Sequence, residues 1–205
     1  PLHTTCRRQR QMCIRDRNSW QSGNVITGLP GIHNVENALA AFSMAYIQGL
    51  SVSGIVDSIA SFSGVKRRFE YHVKTDNQIY IDDYAHHPTE IEVAIRSVRD
   101  LYPNKELTVI FQPHLFTRTR DFMDDFAKSL SFADHVMLLD VYPAREHPIE
   151  GVNSEVLLNK ITVKNKGLYD KSKFPEAIAK SNVLMTLGAG DIDQLIEPIK
   201  AYLVS

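Results

Sequence analysis

Apolar residues recur along the chain with two different periods, and the alternation between them marks its elements. In "NVENALAAFSMAYIQG", Val35, Leu39, Phe42 and Tyr46 fall on one helical face, with Gly49 a natural C-terminal stop. "SVSGIVDSIASF" reads as a second, shorter helix that Ser51 caps. "FEYHVKTDNQIYIDD" reads as two strands around the turn residues Thr75, Asp76 and Asn77. After Pro88, suited to a first helical turn, Ile91, Ala94, Ile95, Val98 and Leu101 share a face. Continuous apolar runs of strand length follow at 107–112, 135–140 and 182–188, with a weaker strand near 167–170. Between them the pattern predicts helices over 119–131, which buries Phe122, Met123, Phe126 and Leu130, over 153–161, after Phe174, and at the C-terminus.

Buried strands alternating with amphipathic helices predict an α/β fold, a Rossmann-like, mostly parallel sheet with helices on both faces. Ligands of such sheets bind beyond the carboxyl ends of the strands. The loops after Asp83, Gln112, Asp140 and Gly188 then share one rim. A break near Gly64–Lys66 separates the leading helical pair from this unit.

Composition narrows the function classes. Of 205 residues, 43% are hydrophobic, enough for a packed core. A net charge of −1 gives the chain as a whole no electrostatic footprint for nucleic acid. No apolar run approaches the roughly 20 residues of a membrane span. Cys6 and Cys13 supply neither a disulfide framework nor a metal quartet, in keeping with a reducing cytoplasm. Both lie in the first 17 residues, "PLHTTCRRQRQMCIRDR", which hold five arginines, one acid and no sustained apolar period. This stretch reads as a leader unrelated to the rest, possible alternatives being a basic arm or an organelle presequence, and we set it apart from the fold.

The candidate chemistry gathers at the rim. "YIDDYAHHPTE" packs two aspartates, a tyrosine and two histidines into one loop. A metal site is the first thought, but no HExxH, acidic cluster or CxxC supports one, and no metal ligand is assigned. The other reading is a polar rim, with an aspartate accepting hydroxyl hydrogen bonds and an imidazole facing an anion. "FQPHLFTRTRD" places His114, Arg118 and Arg120 after a buried strand, where arginine can pair with carboxylate or phosphate. Arg118 and Arg120 cannot both enter one cleft from an extended segment, and one of them can pair with Asp121 or Asp124. In "HNVEN", Asn34 and Asn37 share a helical face and can read an adenine edge, while Asn34 can equally be an N-cap. "GVKRRFE" is either a solvated basic turn or a phosphate contact at a domain junction. "GAGDID" is a weak nucleotide signal, and no GxxxxGK[ST] phosphate cradle occurs in the sequence.

"GIHNVENALAA", "GVKRRFE", "IDDYAHHPTE", "FQPHLFTRTRD", "LDVYPAREHPIEG" and "LGAGDID", in this order from about Leu29 to the C-terminus, resemble the Mur ligase family, ATP-dependent amino-acid ligases of peptidoglycan synthesis. "FQPHLFTRT" is similar to the branch that adds L-alanine to UDP-N-acetylmuramate; the murein-peptide recycling branch shares "KRR" and "AHHP". The resemblance implies three parts: a leader over 1–17, a remnant of the central ATP-binding domain over 18–65, and the family's C-terminal Rossmann-like domain over 66–205. By resemblance, His33, Asn34, Asn37, Arg68 and Asp83 bind ATP, with Arg68 also catalytic, and Tyr84, His86, His114 and Arg118 bind substrate. Leu115 stands where many members have arginine. The implied reaction uses ATP, with Mg²⁺ held mainly by an upstream domain, and passes through an acyl phosphate. Its partners are UDP-N-acetylmuramate and L-alanine, its place the cytoplasm, and neither nucleic acid nor membrane is involved. A chain without a phosphate loop is expected to be inactive alone; a stand-alone nucleotide-binding module is the alternative. Oligomeric state is left open.

Overall fold

The computed structural model describes residues 11–15, 21–29, 31–169, 178 and 181–204. The chain divides into two compact units, Pro1–Val65 and Lys66–Ser205. The first contains β1 (Gln11–Arg15), β2 (Gln21–Ile26), α1 (Ile32–Ile47) and α2 (Val52–Ser61). β1 lies in the stretch set apart as a leader and pairs antiparallel with β2, an element that hydrophobic periodicity did not predict. A two-stranded ladder is held by backbone hydrogen bonds and needs no apolar period. Val25, Val35, Phe42 and Ile55 form this unit's core, whereas Tyr46 is 43% exposed and covers one side of Phe42.

Local signals set the ends of these helices. Gly31, at φ 99°, is the N-cap of α1, so Asn34 is the third helical residue and not the cap. Its C-terminus closes when Gly49, at φ 82°, donates to the Tyr46 carbonyl and Leu50 donates to that of Ala45. The Ser51 hydroxyl accepts from the Gly54 N–H, as a cap of α2 should.

The second unit is a six-stranded sheet. Its elements are β3 (Glu70–Lys74), β4 (Ile79–Asp83), α3 (Pro88–Leu101), β5 (Leu107–Phe111), α4 (Phe116–Asp121), α5 (Met123–Leu130), β6 (His135–Leu138), α6 (Ser154–Lys160), β7 (Asn165–Leu168), β8 (Val183–Leu187), a 3₁₀ turn (Asp191–Leu195) and α7 (Ile196–Val204). The spatial order is β3-β4-β8-β5-β6-β7, with only β3 antiparallel. The last strand thus inserts between β4 and β5, a topological switch point. Alternate residues serve opposite faces: Ile79, Ile81, Val109, Phe111, Met185 and Leu187 pack in one core with α3 and α5. Tyr80, Ile110 and Leu184 pack in the other with Ile192, Ile196 and Ile199. The single helix expected over 119–131 is two, because Phe122, at φ −118° and ψ 21°, leaves helical geometry. The helix expected after Phe174 falls outside the described residues except for the helical, buried Ile178.

Candidate active site

The parallel register brings the carboxyl ends of β4, β8, β5 and β6 to one rim. Beneath it runs a buried polar chain. Asp82 and Thr186 are register partners on β4 and β8. The Thr186 hydroxyl donates to Asp82 Oδ1 at 2.6 Å, which leaves the Tyr80 hydroxyl to donate to Thr186 at 3.1 Å. On the other side of Asp82, Arg67 Nε donates to Oδ2 at 3.0 Å and Arg67 Nη2 donates to the Gly188 carbonyl at 2.7 Å. Burial pushes the Tyr80 phenol well above its ordinary value, so it acts here only as a neutral donor.

Asp83 points the other way. Its two carboxylate oxygens accept the backbone N–H groups of Phe69 and Ala85, each at 2.8 Å. Desolvation nonetheless raises its pKa to about 6, against the pull of those two N–H groups and of Arg68. Asp83 therefore ties the basic turn to the rim loop. That turn is strained, with Arg67 at φ 59° and Phe69 at φ 49°. It leaves Arg68 exposed, its guanidinium 5.5 Å from the Tyr84 ring centre, with Arg67 at 5.2 Å from the same ring.

A row of rings crosses the rim. Tyr84 meets His86 edge-on at 5.3 Å, His86 meets His114 at 6.2 Å, and His114 stacks on Tyr142 at 5.6 Å. His86 Nδ1 lies 2.9 Å from the Tyr84 carbonyl and 3.5 Å from Glu90 Oε2. His87 turns away, its ring 4.8 Å from Phe122, and opens α3 in a capping box with Glu90. The side chains of Asp83, His86 and His87 thus point to different partners: the Phe69 and Ala85 N–H groups, the Tyr84 carbonyl and the Phe122 ring.

His114 and Arg118 carry the site's unmet bonding. Among the described residues, His114 Nδ1 and Arg118 Nη1 are buried without a hydrogen-bond partner. Burial, then the charges of Arg118 and His86, hold the His114 pKa below its ordinary value. The Arg118 guanidinium, with the His114 imidazole beside it, suits an anionic acceptor. Arg120 instead closes an exposed pair with Asp121 at 2.8 Å. Leu115, at φ 71°, turns the chain into α4, and Glu146 braces that turn by accepting the Thr117 N–H (2.9 Å) and hydroxyl (2.5 Å). The "GAGD" glycines serve packing: a Cβ on Gly190 would lie 2.3 Å from Gln112 Oε1 and 2.8 Å from the Tyr142 side chain. Gln112 in turn donates to Asp191 Oδ1 and accepts from the Ile192 N–H.

In the first unit, Asn34 is half-buried and Asn37 exposed, one turn apart on α1, and His33 lies in the same turn as Asn34. Sequence reasoning did not single out Arg67, Asp82, Gln112, Tyr142 or Glu146. For Asp82 a signal existed: alternation puts it on the same face as Tyr80, opposite Asp83.

The sequence pattern of the family described as "Mur ligase, glutamate ligase domain" matches residues 67–192, more than half of the chain. The chain belongs to the Mur ligase family. Among Mur ligases, UDP-N-acetylmuramate–L-alanine ligase of Cytophaga hutchinsonii is 50% identical over 187 residues, covering 90% of this chain and 40% of the relative. The same enzyme of Flavobacterium psychrophilum is 49% identical over 202 residues, with 93% and 45% covered. The chain thus spans less than half the length of these curated relatives. The solved UDP-N-acetylmuramate–alanine ligase of Thermotoga maritima superposes with a TM-score of 0.77 at 26% identity, over 96% of this chain and 44% of that one. A murein peptide ligase of Psychrobacter arcticus shares the fold, with a TM-score of 0.66 at 21% identity over 98% and 43%.

Proposed function

We propose that this chain is the C-terminal part of an ATP-dependent ligase that joins L-alanine to UDP-N-acetylmuramate in peptidoglycan synthesis, in the cytoplasm. The observation that carries the reading is the pair of buried, partnerless nitrogens, His114 Nδ1 and Arg118 Nη1, beside His86 on the rim. Such a pair binds a carboxylate, which L-alanine brings. The names of the two relatives quoted above point to the same substrates.

On this reading His114 and Arg118 hold the amino-acid carboxylate, and Tyr84 and His86 wall the same site. Arg68, exposed on its strained turn, suits a phosphate oxygen and there stabilises transferring charge. Asn34 and Asn37 contact the adenine from α1, with His33 beside them. Asp83 is assigned to the nucleotide side of the rim, where its backbone bonds make it act chiefly by fixing the turn that carries Arg68. ATP supplies the phosphoryl group that activates the muramoyl carboxylate. Mg²⁺ is assigned to sequence beyond these 205 residues, as is the phosphate loop. The residues present contribute positioning and fixed charge.

The test expresses the full reading frame that contains this chain. It should release phosphate from ATP only when UDP-N-acetylmuramate and L-alanine are both present, and the product mass should be that of the alanyl amide. Preference for a preformed murein peptide over L-alanine would reassign the chain to the recycling branch. The 205-residue chain by itself should show no ligation.

A further inference from the structure

We infer that His86 is the general base of the ligation step, taking a proton from the incoming α-ammonium group at Nε2. This rests on the amino-acid ligase reading above. The argument begins with the tautomer. His86 Nδ1 sits 2.9 Å from the Tyr84 carbonyl, which can only accept, so Nδ1 carries the hydrogen. The neutral ring therefore has its lone pair on Nε2. Glu90 reinforces this choice: its Oε2 lies 3.5 Å from the same Nδ1 and also accepts the His86 N–H at 3.1 Å. An imidazole oriented at one nitrogen by acceptors, with the other left basic, is the arrangement by which proteins fix a histidine base.

Position supplies the second half. The His86 ring stands edge-to-face with His114 at 6.2 Å, and His114 and Arg118 each hold a buried nitrogen without a partner. An α-amino acid carries its amine on the carbon next to its carboxylate. A carboxylate on His114 and Arg118 therefore delivers the amine to the next ring in the row. The titratable and charged groups around His86 include Glu90 on α3, Tyr84 in its own loop with Arg67 and Arg68 over its ring, His114 after β5 and, behind His114, Arg118.

The step balances as follows. The ammonium gives one proton to Nε2, and the freed lone pair forms the N–C bond to the acyl phosphate. The C–O bond to phosphate then breaks, with its electron pair leaving on phosphate. The second N–H proton departs with that phosphate, and His86 later returns its proton to water.

The test uses two nucleophiles on the full-reading-frame protein. L-alanine arrives as an ammonium ion and needs a base; hydroxylamine is uncharged at neutral pH and does not. In His86→Asn, the amide N–H takes the place of Nδ1–H toward the Tyr84 carbonyl, and nothing replaces Nε2. His86→Gln places a non-basic amide near the Nε2 position. Both should lose about 10²-fold or more in kcat/KM for L-alanine, within the usual range for a general base. The loss with L-alanine should exceed any loss in hydroxamate formation by at least about tenfold, and the hydroxamate still formed reports that the variants fold. A parallel loss with both nucleophiles, or an undiminished rate with L-alanine, would overturn the assignment. Wild-type protein that makes neither amide nor hydroxamate overturns the ligase reading, and this inference with it.

Discussion

The buried pair beneath the rim gives the sharpest test of the structural reasoning. Asp82 is fully buried and the Arg67 side chain is 12% exposed, so their 3.0 Å contact is nearly dry. At an effective dielectric near 20, two unit charges at that separation attract by about 5–6 kcal/mol before desolvation is subtracted. Desolvation cancels much of this, so the intact pair contributes little net stability. Removing one partner is different, because the other charge stays behind in the same dry place. Arg67→Met strands Asp82, and Asp82→Asn turns an amide N–H toward the Arg67 guanidinium while still accepting from Thr186. Each single change should cost about 3 kcal/mol. The double variant buries no charge there and should cost no more than either single, a coupling of about 3 kcal/mol. The readout is amide hydrogen exchange in Val183–Leu187, a central strand whose protection reports the second unit alone. Single-variant costs that add to within about 0.5 kcal/mol would refute the argument.

Other consequences are open to simple measurement. Gly190→Ala forces a Cβ against Gln112 Oε1 and Tyr142, and should lower stability by about 1–3 kcal/mol in a urea titration; an unchanged midpoint would contradict the packing role. Asp83 has its pKa raised to about 6 from an unfolded value near 3.8, so its share of stability is full below that lower value and is lost as pH rises through 6. The stability of wild type relative to Asp83→Asn should therefore fall by up to about 3 kcal/mol between pH 4 and pH 7, and a pH-independent difference would count against the burial argument. Asn153→Ala removes the side-chain acceptor for the Val156 N–H and should cost about 1 kcal/mol, read as faster exchange in α6.

The α/β architecture was legible because β5, β6 and β8 are continuous apolar runs, and such runs form only when both faces are covered. What the runs could not show is their order. Nothing local to "NVLMTLG" says that it enters between β4 and β5, yet that insertion puts Thr186 beside Asp82 and the glycine loop against Gln112. The break at Phe122 was hidden because apolar spacing continues through it while the backbone does not. Within the site, Tyr84, His86, His114 and Arg118 could be grouped from their places just after strands, and the structure sets them on one rim. Tyr142 and Glu146 escaped because their roles depend on distant partners, His114 and Thr117.

The adjacent arginines and adjacent aspartates resolve into one device. Successive strand residues face opposite sides, so of the two aspartates Asp82 alone joins the Tyr80–Thr186 chain, while Asp83 reaches the backbone of Phe69 and Ala85. The turn that opens the second unit splits its arginines the same way: Arg67 goes inward to Asp82 and Gly188, and Arg68 stays exposed over Tyr84. The inner pair thereby neutralises itself and anchors both the turn and the glycine loop. Asp83 then fixes the far side of the turn, and the Arg67 carbonyl accepts the Tyr84 N–H at 2.7 Å. Arg68 is left as a cation whose backbone is held from both sides and whose guanidinium is not consumed by the inner pair. A single arginine could not both reach Asp82 and Gly188 and stay exposed over Tyr84, and a single aspartate could not serve both faces of the strand.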